Sequence, residues 1–292
     1  MSSEPNVVLE GYTFLEGPRW HEGRIWVSDF YTGQVVSARA DGSDVRVEAE
    51  VPNQPSGLGW LPDGRLLVVS MKDRRILRRE ADGSLVVHAD LAEYCGGHLN
   101  DMLVDPQGRA YAGNFGFDLM AGADPELADL VRVDPDGTVT VAARDLWFPN
   151  GMVLLGDTLV VNETMGNRIS AFDVAEDGSL GPRRDFAVFD ELPPAGTDLQ
   201  TLLSHTKVGP DGAAGDSEGG VWFADAFGQR AARVLDGKIV DTVDVGTGVY
   251  ACALGGEDGR TLFLCTAPSF AEHERKAARE AQLLSVTVSV PA

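Results

Sequence analysis

Six times along the chain a Gly-containing turn is followed by a short run of β-branched or aromatic residues: HEGRIWVSD, PDGRLLVVS, PQGRAYAGN, LGDTLVVNE, SEGGVWFAD and EDGRTLFLC. Each copy reads as strand, turn and second strand. The second strands begin near Ile25, Leu66, Ala110, Leu159, Val221 and Leu262. In most copies a further strand and turn follow, as in GQVVSARADG, RRILRREADG, DLVRVDPDG and NRISAFDVAEDG. That makes about four strands in a unit of roughly 40 to 50 residues, the size of a propeller blade. Alternating apolar patterns dominate and long 3.6-period stretches are missing, so a helical solenoid is excluded. The one helical segment expected is SFAEHERKAAREAQ, Ser269 to Gln282, whose Ser-plus-acid opening resembles a capping signal.

Six blades must close into a ring, or the first and last sheets would expose edges. The sequence opens on NVVLEG and closes on LLSVTVSV, so a strand near Val7 to Glu10 is expected to complete the blade formed by the C-terminal residues. The expected architecture is all-β: one domain over residues 1–292, a six-bladed β-propeller with four-stranded antiparallel blades and a central metal site.

The metal expectation comes from the residues that open each first strand. The stretches FLEGPRW, QPSGLGW, HLNDMLV, FPNGMVL, GPDGAAG and GVYACAL place Glu16, Ser56, Asn100, Asn150, Asp211 and Tyr250 about ten residues ahead of the second strands. The innermost strand of a blade runs along the central channel, so these quasi-equivalent side chains converge at one mouth. Glu16, Asn100, Asn150 and Asp211 all carry oxygen donors, and none of the set is His or Cys. Such a set suits one hard divalent cation, Ca²⁺ ahead of Mg²⁺, Mn²⁺ or Zn²⁺, with positions left open for water and substrate. Asn in Pro-Asn-Gly and Asp in Pro-Asp-Gly are also strong turn formers, and the Pro-Asp-Gly at Pro62 and at Pro135 is read as a turn only. Four such residues at one repeat position set this group apart.

At these residues the chain resembles the SMP-30/gluconolactonase/regucalcin-like (LRE) family, which is related to the diisopropyl-fluorophosphatase propellers. The resemblance runs from LEGPRW through LNDM, FPNGM and GPDGAAGDSEGGVWFAD to ACALGGEDGRTLFLCTA. It implies that Glu16, Asn150 and Asp211 hold a catalytic divalent ion, with Asn100 beside it as a ligand or substrate contact. The implied reaction is hydrolysis of a lactone, in which the ion polarises the carbonyl and activates water. Asp211 is then either the base or only a ligand, because a cation lowers the basicity of a carboxylate that binds it. Asp101 and Glu163 are further candidates near the site. Sugar-lactone members often carry an Arg two residues before this Asn; here the position is His98, which cannot reproduce the guanidinium fork.

Repeat position also brings Phe117, Met120, Trp147, Phe148 and Tyr250 near the mouth. With the Arg replaced, these residues point to a small-molecule substrate less polar than a sugar lactone. The segment AGTDLQTLLSHTKVG, residues 195–209, leads into Asp211 and is a candidate lid. Two further readings stand beside the lactonase: an organophosphate hydrolase using the same site, and a non-enzymatic calcium-binding or regulatory propeller. No Gly-x-Ser-x-Gly nucleophile and no strand-linked Gly-x-Gly-x-x-Gly is present, which leaves serine-hydrolase and dinucleotide readings without support.

A formal charge of -21 argues against nucleic-acid and anionic-membrane partners. No stretch approaches the roughly 18 apolar residues of a membrane span. MSSEPNVVLEGY lacks the basic and apolar regions of a signal peptide, and the three cysteines are expected as reduced thiols. Together these lead to an expectation of a cytoplasmic protein.

Overall fold

A computed structural model describes residues 5–194 and 196–292. Six four-stranded antiparallel sheets form a ring, the β-propeller that the repeats imply. Five sheets are built from consecutive strands, the earliest innermost. Their inner strands are Leu15–His21, Pro55–Trp60, Leu99–Val104, Pro149–Leu155 and Pro210–Gly215. The sixth has Gly248–Gly255 innermost, then Thr261–Ala267 and Ala281–Thr287, with Asn6–Tyr12 as its outer strand. Val7 pairs with Leu284 across that last ladder, so the two ends of the chain share one blade and the ring has no open seam.

The second strands carry the apolar runs seen in the sequence and are almost entirely buried, as in Arg24–Asp29 and Val221–Asp225. Their side chains pack between neighbouring sheets. One cluster joins Ile25, Val27 and Val36 of the first blade to Ala251, Phe263 and Leu283 of the sixth. Another joins Leu67, Val69 and Ile76 to Met102, Ala112 and Val131. Cys95, Cys252 and Cys265 are buried free thiols. Among the described residues no helix is long and apolar enough to cross a membrane.

The helix expected over Ser269 to Gln282 shrinks to α2, Glu272–Arg275. The Ser269 hydroxyl does bond the Glu274 carboxylate, but the cap position falls on Ala271, which has no side-chain cap. From Ala281 onward the ladder to Thr261–Ala267 claims the chain, with Thr266 opposite Gln282, so sheet pairing takes the last two residues of the expected helix, while residues 276–280 are turn and irregular backbone. A longer helix, α1 (Leu199–His205), is capped by the Asp198 carboxylate on the Thr201 N–H at 2.9 Å. It lies in the segment read as a candidate lid, of which position 195 is outside the described residues.

Candidate metal centre and its cavity

Every inner strand has a break in its ladder just after its opening residues. The irregularities fall between Glu16 and Arg19, Pro55 and Leu58, Leu99 and Met102, Pro149 and Met152, Pro210 and Ala213, and Val249 and Ala251. A bulge bends the strand and re-aims a side chain, here into the channel mouth. The inner strands also approach one another closely at this level. A Cβ on Gly151 would lie 2.4 Å from the Asp211 carbonyl oxygen, and one on Gly212 would lie 2.5 Å from Ala251 Cβ. That explains why glycine follows Asn150 and Asp211: any side chain there would push the blades apart.

Glu16, Asn100, Asn150 and Asp211 are each between 5% and 8% exposed, and all four line one cavity of about 330 Å³. Asn150 Nδ2 donates to Thr164 Oγ1 at 3.1 Å and to the Asp211 carboxylate. The Thr164 hydroxyl in turn donates to the Pro210 carbonyl at 2.8 Å, which ties the fourth and fifth blades together beside the site. Asn100 Nδ2 is buried without a partner. A half-turn of that carboxamide presents its oxygen instead, so the position can serve a cation. Among the described residues no cluster of three His, Cys, Asp or Glu side chains is arranged to hold an ion. The set here is two carboxylates and two carboxamides, an all-oxygen group of the kind hard cations take.

Two carboxylates are thus buried side by side. Burial is the main cause that raises Glu16, to about 8; Asp101 adds to the rise, while the Gly17 N–H and the Arg19 guanidinium oppose it. Burial also raises Asp211 well above its usual range, reinforced by Glu16 and Asp101 and opposed by Asn150 and the Gly212 N–H. A fixed positive charge between them would reverse this cost, since an opposite charge at close range favours the ionised form. The residues present therefore fit a hard divalent cation.

Above this polar floor the walls are apolar. Phe14 packs against Phe30 and Tyr250 with ring centroids 5.2 and 4.8 Å apart, and Phe115 stacks on Phe148 at 4.3 Å. Leu119 and Met120 come from a short 3₁₀ turn, Leu203 from α1, and Phe270 from the segment before α2. Burial lowers the His98 imidazole, which keeps it neutral near physiological pH, and raises the Tyr250 hydroxyl to about 12.

Residues 14–268 match the SMP-30/Gluconolactonase/LRE-like region. The chain belongs to that family. It is 29% identical over 261 residues to Pentonolactonase XacC of Haloferax volcanii, covering 86% of this chain and 81% of the relative. It is 31% identical over 269 residues to 6-deoxy-6-sulfogluconolactonase of Pseudomonas putida, covering 88% and 84%. Among solved structures, a luciferin-regenerating enzyme superimposes with a TM-score of 0.81 at 19% identity, covering 100% of this chain and 97% of that one, a likeness of fold.

In this SMP-30/gluconolactonase/LRE-like propeller, His98, Met120, Phe148 and Tyr250 reach the cavity beside the four oxygen donors. Ser56, the second blade's equivalent, does not: only its carbonyl is engaged, by the Ser28 hydroxyl at 2.6 Å. Three of the expected site residues, Phe117, Trp147 and Asp101, do not line the cavity. Phe117 and Trp147 pack in a buried cluster with Phe148, Met165 and Leu202, of which Phe148 and Met165 also line the cavity. Asp101 stands in line with Gly17, Gly57, Gly151 and Gly212 of four other blades, and its carboxylate is taken by Arg19 Nη2 at 2.6 Å and the Met102 N–H at 2.9 Å. It acts on Glu16 and Asp211 through charge, not contact.

Gln54 and Phe14 were missed, although a repeat signal marks them. The residue two before the floor position lines the cavity in four blades: Phe14, Gln54, His98 and Phe148. Gln54 and Phe148 hold this place with φ of +74° and +58°, left-handed conformations that cost energy and cluster at functional sites. In the fifth blade the position is Gly209, and the Phe227 ring fills the space a Cβ would occupy, 2.2 Å away.

Proposed function

We propose that this chain is a divalent-cation-dependent lactonase acting on a ring ester less polar than a sugar lactone. The observation that carries the proposal is the floor of the cavity: four buried oxygen-bearing side chains from four blades, at one repeat position, under walls that are mostly apolar. The relatives named as lactonases support the reaction class. Glu16, Asn100, Asn150 and Asp211 would hold the ion, with Ca²⁺ favoured by the oxygen donors. Bound there, it supplies Lewis-acid polarisation of the ester carbonyl and a more acidic water.

The chain's own residues supply the rest. Asp211 faces the floor from the fifth blade and is the carboxylate placed to take the water proton. Asn100 has an amide with no internal partner, free to orient a substrate oxygen. Neutral His98 and protonated Tyr250 offer hydrogen bonds along the walls, and the aromatic rings exclude bulk water. Water adds across the acyl C–O bond: its hydroxyl goes to the carbonyl carbon and its proton finally to the ring oxygen that leaves.

The test is a panel of sugar, aliphatic and aryl lactones offered to chelator-stripped protein, with Ca²⁺, Mn²⁺, Mg²⁺ or Zn²⁺ restored separately. Turnover that returns with one cation and favours the aliphatic or aryl members is expected. Tight cation binding with no turnover of any lactone would instead favour the phosphoester or the calcium-binding reading.

The raised carboxyls make a pH prediction. In the metal-free protein Glu16 and Asp211 keep protons that the unfolded chain releases near its ordinary carboxyl range. Unfolding then releases protons, so stability falls as pH rises from about 4–5 toward 8. Calcium competes with those protons, and its affinity rises over the same window. Melting curves from pH 5 to 9 with and without Ca²⁺ are expected to diverge as pH rises, and titration calorimetry in two buffers should show proton release at pH 7. Parallel melting curves and no proton release would count against the site.

A further inference from the structure

We infer that the substrate is an uncharged lactone carrying an apolar alkyl or aryl substituent, the ring lying on the oxygen floor and the substituent leaving the cavity between Met120, Leu203, Phe227 and Phe270. The inference rests on the lactonase reading and names its substrate class.

Three observations carry it. The first is a shortage of free polar groups. Above the floor, the Thr164 hydroxyl donates to the Pro210 carbonyl at 2.8 Å and the Tyr31 hydroxyl to the Phe270 carbonyl at 3.0 Å. Gln54 Nε2 rests 3.3 Å from Met71 Sδ, and the Glu272 carboxylate takes Lys72 Nζ at 3.2 and 3.3 Å. That leaves the Gln54 carboxamide oxygen, His98 and Tyr250 on the walls, with the Asn100 amide on the floor, to meet the hydroxyls of a sugar ring. A polyhydroxylated ligand would bury several of them unpaired, a penalty that sites rejecting polar analogues exploit.

The second observation is charge. The ionisable acids lining the cavity are Glu16, Asp211 and Glu272, and among the described residues no Lys or Arg lines it. With a net charge of -21 outside, an anionic substituent finds no partner inside and repulsion on approach.

The third is the mouth. Met120, Leu203, Phe227 and Phe270 are 44%, 39%, 41% and 56% exposed, and all four border the same opening. Isolated exposed apolar residues are ordinary, but four around one opening continuous with an apolar cavity mark a binding surface. They come from four separate connections on the propeller's top face, three of them long and the fourth the short turn from Asp225 to Arg230, so no single strand's packing explains the grouping. A cavity of about 330 Å³ is at the small end for small-molecule sites, room for a lactone ring and part of a chain, with the remainder crossing the rim.

The experiment measures two things on calcium-loaded protein. Calorimetry follows the binding of 5-alkyl-2-pyrrolidinones, lactam isosteres that resist hydrolysis, as the alkyl chain lengthens. Kinetics follows the matching γ-lactones, with gluconolactone as the polar control. Each methylene is expected to tighten binding and raise kcat/KM by about fourfold until the chain passes the rim. Leu203→Ser combined with Phe270→Ser, both exposed positions, is expected to flatten the slope for the outermost methylenes. A flat series with gluconolactone as the best substrate would overturn this inference and leave the lactonase reading intact. A binding slope with hydrolysis of no lactone at all would overturn the lactonase reading, and the assigned substrate with it.

Discussion

Asp211→Asn is expected to lose calcium binding and lactone turnover while the protein stays folded and, in the absence of metal above pH 8, becomes more stable than the parent. The two effects have opposite signs because they share one cause. In the metal-free protein Asp211 and Glu16 are both buried carboxylates raised chiefly by burial, Asp211 further by the charges of Glu16 and Asp101 and Glu16 further by that of Asp101. Neutralising one of them relieves that repulsion and preserves the shape of the side chain. Each kcal/mol relieved raises Tm by roughly 2–4 °C in a domain of this size. The same change removes a full charge from the donor set. Replacing even outer partners of metal ligands weakens binding by about 10–100-fold, and an anionic ligand is worth more than an outer partner. Loss of Lewis-acid activation costs several kcal/mol of transition-state stabilisation, on the order of 10³-fold in rate. Glu16→Gln is expected to behave alike, from the other side of the floor. Calorimetry with Ca²⁺, melting at pH 8.5 with chelator and a lactone assay complete the test. Full turnover in both variants would remove the metal centre from the mechanism. A fall in metal-free stability would mean that these carboxylates hold the fold together.

The floor was legible in the sequence for a reason that does not extend to the walls. A ring of repeats converts position in the repeat directly into position around an axis, so aligning six strand starts was enough to bring Glu16, Asn100, Asn150 and Asp211 together. Side-chain direction outside the repeat is decided by single backbone torsions. Asp145 and Phe148 are left-handed, with φ of +61° and +58°, and of the two neighbours in this local twist Phe148 lines the cavity while Trp147 does not. Nothing in the residue types Trp-Phe distinguishes the two. Asp101, a candidate near the site, directly follows Asn100 in the sequence. Its actual partner, Arg19, lies 82 residues earlier and on a strand two blades away. The misjudged helix after Ser269 shows the converse limit: local propensity favoured a long helix, and the chain keeps only Glu272–Arg275 before the ladder to the preceding strand begins at Ala281.

Glu163→Ala is expected to destabilise the protein by about 3–5 kcal/mol, or a fall in Tm of the order of 10 °C. The sequence offered Glu163 as a residue near the chemistry; its contacts give it a different task. It is wholly buried, and its Oε1 accepts from Arg168 Nε at 2.7 Å and from the Ser170 hydroxyl at 2.5 Å. Its Oε2 accepts from Arg168 Nη2 at 3.0 Å and from the Trp147 N–H at 2.7 Å. Removing the carboxylate leaves the buried Arg168 guanidinium without its counter-charge and the Trp147 N–H without its acceptor, the costly way to break such a pair. The Trp147 bond also anchors the left-handed turn that delivers Phe148 and then Asn150 to the cavity. Calcium affinity is therefore expected to fall with stability, although Glu163 itself stands behind the wall. Replacing both charges, Glu163→Leu with Arg168→Met, should recover part of the loss, because the stranded cation is then gone; the double-mutant cycle measures that coupling. An unchanged Tm in Glu163→Ala, together with lost turnover, would place Glu163 in the chemistry after all. A large fall in Tm that the second substitution partly repairs would confirm it as the brace that holds Asn150 in line with Asp211.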